Sequence, residues 1–174
     1  VSTARGFMKN HPVLACKGGV VMPVAPTGPG GPRRTPEGFP GTIATALLLG
    51  DDVLALWAVK RAGSVPGGMR FAVIGRRHAP KEEILGRKAG VVALAAIEGP
   101  ESAEVYWVEA GQDGQGPTQL MHARLPGGET DELDAPSDIT EMEVAPGVIG
   151  LVISDGTLVV LDAATGRRLG TNPS

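Results

Sequence analysis

Val148-Ile149-Gly150-Leu151-Val152-Ile153, then Ser154-Asp155-Gly156, then Thr157-Leu158-Val159-Val160-Leu161-Asp162: the reading of this run decides the fold. Two stretches of β-branched and aliphatic residues flank an Asp-Gly pair. Asp-Gly supplies the positive backbone angles of a tight turn, so the run reads as an antiparallel hairpin. The alternating segment Ile139-Thr140-Glu141-Met142-Glu143-Val144 leads into it as a further strand.

The same pattern recurs upstream. Thr45-Ala46-Leu47-Leu48-Leu49 and Val53-Leu54-Ala55-Leu56-Trp57-Ala58-Val59 flank Gly50-Asp51-Asp52. Val91 to Ile97 and Glu104-Val105-Tyr106-Trp107-Val108-Glu109 flank a second turn. Met69 to Ile74 and Thr118 to Leu125 follow as additional strands. Aligned on the second strand of each hairpin, Trp57, Trp107 and Leu161 fall at equivalent places. The repeat is then roughly 50 residues long, a size suited to propeller blades. Three units are counted, with a candidate fourth hairpin at the N-terminus, where Val13-Leu14-Ala15-Cys16 and Val20-Val21-Met22-Pro23-Val24 flank Lys17-Gly18-Gly19. Pro23 would confine its strand to a sheet edge.

Composition agrees. The 174 residues are enough for one domain, and with 42% hydrophobic but only 3% aromatic residues the core is aliphatic. The 26 glycines and 15 prolines disfavour helices and suit a turn-rich β domain. Two helix readings compete locally. Ile43 to Arg61 can be drawn as a helix broken at Gly50, and Ala79 to Lys88 has Pro80 and early acids, which suit a short helix or loop. Pro126 to Ser137 reads as an exposed acidic loop.

Val24 to Gly41 is dense in proline and glycine. Residues 1–41 are therefore read as an extended N-terminal arm that gains order on a partner, and residues 42–174 as the β domain. The expected fold class is all-β, built of antiparallel hairpin units in propeller-like blades, with a β-sandwich as the alternative.

The segment Ile153 to Gly170 resembles one repeat of the PQQ-type β-propellers. That family carries a strand, an Asp-Gly turn, a strand ending in Leu-Asp (here Leu161-Asp162), and Ala-x-Thr-Gly (here Ala163-Ala164-Thr165-Gly166) before the outer strand. The resemblance implies a propeller blade. The upstream units lack the Leu-Asp-x-x-Thr-Gly ending, and no residues match the family's cofactor site, so no cofactor is expected.

The net charge of −3 gives no broad positive field for nucleic acid, and no apolar run reaches the roughly 18 residues of a membrane helix. A soluble, cytoplasmic or particle-associated protein is expected. The single cysteine, Cys16, builds neither an internal disulfide nor a Cys-based zinc site. Its neighbour Lys17 would favour the thiolate, yet a small apolar strand residue is the simpler account. No serine lies in a Gly-x-Ser-x-Gly elbow, and no glycine loop has a phosphate-binding ending.

Three candidate sites remain. Trp57, Tyr106 and Trp107 would line a binding face if exposed, or anchor the core if buried. Asp51 and Asp52 would hold a divalent cation, or simply form the turn after Gly50. With His122 they would make an acid/base site in a small enzyme. The reading favoured here is a non-catalytic structural or interaction module. Its partners would be other proteins or further copies of itself in a larger assembly, a virion or phage particle included; the alternatives are the small enzyme and, from the resemblance, a blade fragment of a quinoprotein-like propeller.

Overall fold

The computed structural model of the chain describes residues 13–16, 20–25, 28–29, 33–34, 45–49, 52–59, 68–74, 81–85, 90–99, 102–111, 116–127 and 129–173. These residues form strands and turns. Among them, no helix is long and apolar enough to cross a membrane.

The strands fall into four sheets of four, each built from consecutive strands. The first holds β1 (Val13–Cys16), β2 (Val20–Ala25), β3 (Gly28–Pro29) and β4 (Arg33–Arg34). The second runs β5 (Thr45–Leu49), β6 (Asp52–Val59), β7 (Gly68–Ile74), β8 (Lys81–Leu85). The third runs β9 (Gly90–Glu98), β10 (Ala103–Ala110), β11 (Gln119–Leu125), β12 (Thr130–Leu133). The fourth runs β13 (Ile139–Ala145), β14 (Val148–Ile153), β15 (Leu158–Asp162), β16 (Arg168–Asn172). In the last three, strand order in space is strand order in sequence, and every pair is antiparallel. The first strands of successive sheets are neighbours: β1 lies by β5, β5 by β9, and β9 by β13. This is the propeller-like arrangement, in which each meander presents its first strand to a shared centre.

Side-chain alternation stacks the sheets. On β10, Ala103, Val105 and Trp107 point one way, into a core with Met121, Ala123 and Leu125 of β11 and with Leu54, Leu56, Met69 and Phe71 of the second sheet. Tyr106 and Val108 point the other way, into a core with Leu120, Ile149, Leu151, Val159 and Leu161, the last four on the fourth sheet. The third sheet is therefore covered on both faces, which is why β10 carries an apolar run rather than an apolar-polar alternation. A two-layer sandwich does not describe this series of stacked meanders. A bulge on β9 between the partners of Val108 and Glu109 pushes Val92 outward, where it is 44% exposed.

Several expectations are corrected. Thr45–Leu49 and Asp52–Val59 pair as the expected hairpin, β5–β6, and for these described residues the competing broken-helix reading of Ile43 to Arg61 fails. Lys81–Leu85, expected as helix or loop, is strand β8: Leu85 pairs with Met69 and is buried, and that burial outweighs the helix propensity of Lys-Glu-Glu. The acidic segment after Pro126 contains β12, whose Leu133 packs on the core. Of residues 1–41, read as an arm, the described ones form β1 to β4, which pair with one another, and the remaining residues, 1–12, 17–19, 26–27, 30–32 and 35–41, lie outside the described residues. The β1–β2 hairpin has the expected strands, but β2 is not an edge. Pro23 pairs with Val13 on one side, and on the other side β4 reaches Val20 and Val21 while β3 reaches Val24 and Ala25. A residue without an N–H is tolerated between those two short pairings.

The repeat alignment also shifts by one strand. Trp57 and Trp107 lie on second strands, β6 and β10, whereas Leu161 lies on a third strand, β15. The Asp155-Gly156 turn joins strands two and three of its sheet. In the second sheet the chain between Leu49 and Asp52 joins strands one and two. Aligning the most apolar hairpins paired different turns of the blade.

Candidate functional site

The Asp155-Gly156 turn forms as its residues dictate. Gly156 has φ of +85°, and Asp155 Oδ1 accepts from Thr157 N–H at 2.8 Å. At the next turn, Asp162 Oδ1 accepts from the N–H groups of Ala164 and Thr165 and from the Thr165 hydroxyl, at 3.1, 2.9 and 2.7 Å. This is the side-chain-capped reversal expected for Leu-Asp-x-x-Thr-Gly. The hydrogen bonds from Thr157 hold the Asp155 carboxyl below its ordinary value, and those from Thr165 and Ala164, with Arg167 nearby, do the same for Asp162.

Tyr106 and Trp107 are core residues. Trp107 has no accessible surface, and its Nε1–H donates to Glu109 Oε1 at 2.8 Å. Tyr106 is buried, with its hydroxyl 3.4 Å from the Ala163 carbonyl of the fourth sheet. Neither offers a ring to a partner, so of the two roles open to them in the sequence they fill that of packing anchors. The backbone of Trp57 lies on β6; its side chain is outside what is described.

A polar cluster does form on the face that bears Tyr106, at its open end. In the register Tyr106 pairs with His122, Glu104 with Arg124, and His122 with Asp131, so these side chains share one face of three adjacent strands. His122 Nε2 lies 2.6 Å from Glu104 Oε2, and its Nδ1 lies 4.0 Å from Asp131 Oδ2. Arg124 Nε donates to Glu104 Oε1 at 2.6 Å. The imidazole packs on Tyr106 with ring centroids 4.8 Å apart. Burial raises the Glu104 carboxyl, but hydrogen bonds and charge from His122 and Arg124 outweigh it and leave it below its ordinary value. An ionised carboxylate only accepts, so Nε2 of His122 carries the proton in this contact. Burial and the nearby charges of Glu104 and Asp162 push the Tyr106 hydroxyl upward.

The cluster stitches β10, β11 and β12 together and orients an imidazole. His122 was singled out in the sequence, but its partners were not. They are Glu104, Asp131 and Tyr106, all on its own sheet. Asp52 begins β6 on the second sheet, and Asp51 lies outside the described residues. Among the described residues, no group of three or more His, Cys, Asp or Glu side chains is arranged to hold a metal ion. One signal for the cluster was legible: His122 and Arg124 stand two apart on an alternating strand and so share a face. Finding Glu104 opposite required the register.

The sign of the Glu104 effect fixes a prediction. Its folded carboxyl binds protons less readily than the unfolded one, so its stabilisation is present above the ordinary value of 4.5 and is lost as pH falls through the folded value. Urea midpoints measured from pH 7 to pH 3 are expected to fall on the acid side. Glu104→Gln removes part of that slope, at a cost of about 1 kcal/mol at neutral pH, the scale of a partly exposed pair. Asp155 and Asp162 are shifted in the same direction and keep the remaining slope. An unchanged profile in Glu104→Gln would show that the contacts do not stabilise the fold.

In sequence, no protein family and no curated protein matches the chain. Solved structures do match. The computationally designed Ika4 protein is similar at 20% identity and a TM-score of 0.53, over 92% of this chain and 89% of that one. The designed Ika8 protein matches at 17% identity and 0.46, over 98% of this chain and 61% of that one. BamB from Moraxella catarrhalis matches at 18% identity and 0.39, over 94% of this chain and 58% of that one. The chain thus spans about three fifths of the latter two. At these identities the Ika4 likeness bears on the fold alone.

Proposed function

We propose that this chain is a non-catalytic structural or protein-interaction module that serves as a subunit of a larger assembly. The observation that carries the reading is β16, the last strand of its sheet, whose five residues are all exposed. Its far edge offers backbone donors and acceptors for strand addition, and Leu169 is 48% exposed beside it. The bulge at this residue and the charge of Arg168 restrict which strands fit. An assembly whose subunits meet through sheet edges, a virion or phage particle included, suits such a surface. The capped turns of Ile153 to Gly170 support reading the fourth sheet as a PQQ-type repeat.

The test is the native mass of the protein in an extract of its source. A defined complex larger than the single chain is expected; a free monomer would overturn the reading. Calorimetric titration with divalent cations covers the enzyme alternative. Heat of binding that disappears in Asp52→Ala would favour an acid/base or metal-dependent role instead.

A further inference from the structure

The third sheet is covered on both faces, and the fourth faces it with one side only. Ile149, Leu151, Val159 and Leu161 point into that shared core, so their alternate neighbours point away. On the outward side Val152 stands beside Leu158, Gly150 beside Val160 and Gly170, with Val148 at the far end. These six are apolar or lack a side chain, and the same register places Glu141 and Glu143 of β13, with Asp162 and Asn172, around them as a polar margin. Leu158 is 40% exposed and Val148 is 38% exposed. A Cβ on Gly170 would meet nothing within 4 Å, so the β16 side of this face is open.

We infer that this face docks on the first sheet, β1 to β4, of a second copy of the chain. The inference rests on the assembly reading and names its partner. Continuity is the first argument. Second on third and third on fourth sheets meet through apolar faces, β1 places the first sheet next to the second, and a copy added head to tail continues the same stacking. The second argument is sequence pattern. β1 reads Val-Leu-Ala-Cys and β2 begins Val-Val-Met, apolar at both alternate sets of positions. That is also the pattern of Val105 to Val108 on β10, a strand covered from both sides. β1 lies beside β5 of the second sheet, which leaves the far side of the first sheet to meet the fourth sheet of a neighbour. Leu158 and Val148 keep accessible surface within one chain, and burying it is what such a neighbour gains. The contact is heterologous, joining two different surfaces, so copies close into a ring or extend as a filament.

The test uses the full purified chain. Sedimentation equilibrium is expected to show self-association that Leu158→Glu weakens by about tenfold or more, the scale of one lost leucine contact. Val160→Lys should do the same, while Val92→Glu, at an exposed valine of the third sheet that belongs to neither this face nor the β16 edge, should not. Circular dichroism checks that each variant keeps its β spectrum. A second measurement identifies the occupant. A spin label on Cys16 of one copy, mixed with isotope-labelled Cys16→Ser chain, is expected to broaden the amides of Gly150 and Gly170. A monomer at all concentrations, unchanged association in both face variants, or no broadening in the isotope-labelled chain would overturn the inference. A purified monomer alongside a large native complex sinks this inference alone, whereas a monomer in both settings sinks the assembly reading as well.

Discussion

Replacing Trp107 with alanine is expected to lower the unfolding free energy by about 3 to 5 kcal/mol, the largest single effect in the molecule. The indole has no accessible surface and sits in the core between the second and third sheets. It pairs across strands with Leu94 and Met121, in a protein whose aromatic content of 3% leaves few large side chains to close a gap. Truncation opens a cavity whose neighbours, aliphatic apart from Phe71, cannot refill it. It also removes the donor that Nε1 gives to Glu109 Oε1, inside a core where a lost partner costs roughly 1 to 3 kcal/mol. Trp107→Phe separates the two contributions, because it restores most of the volume but not the N–H. Tyr106→Phe should be nearly neutral, since it removes only a long 3.4 Å hydrogen bond to Ala163. Urea titrations followed by circular dichroism give all three values. If Trp107→Ala unfolds at the wild-type urea concentration, the indole is not a packing anchor and the stacking of these sheets is misplaced.

The uneven legibility of the chain follows from the same packing. Strands with one wet face, such as Ile139–Ala145, could be read from alternation alone, because each residue type reports its own side. The hairpin at Asp155-Gly156 was legible because the turn is local chemistry. Lys81–Leu85 was not, since its acids and lysine favour a helix and only the partner strand β7 makes it extended. The number of sheets was obscured for a related reason. Val24 to Gly41 looks structureless by its proline and glycine, yet its two-residue strands β3 and β4 need only short pairings with β2. The polar cluster was half legible: His122 and Arg124 share a face by sequence, whereas Glu104 joins them through a register that no local pattern encodes. The two roles open to Trp107 were separable only by burial, which belongs to the stacked sheets and not to the residue.

Gly166→Val should cost about 2 to 3 kcal/mol, because it strains the backbone and crowds a contact between sheets. Gly166 has φ of +69°, a conformation that a β-branched residue resists. Its N–H bonds the Asp162 carbonyl at 2.9 Å, closing the turn that the Asp162 side chain caps. A Cβ there would also stand 3.3 Å from the backbone nitrogen of Asp134 and 3.5 Å from the Leu133 Cβ. Those atoms lie at the end of β12 and just beyond it, so the turn leading to β16 seats against the outer strand of the preceding sheet. Gly147→Val is the matched control, since Gly147 has φ of +85° but nothing within 4 Å of a built Cβ. Strain alone predicts equal losses at the two positions. The close approach predicts a larger loss at Gly166, together with faster hydrogen exchange at the Asp134 amide in that variant only. Equal losses with unchanged exchange would mean that the Thr165-Gly166 turn is shaped by its own sequence and does not help hold the fourth sheet against the third.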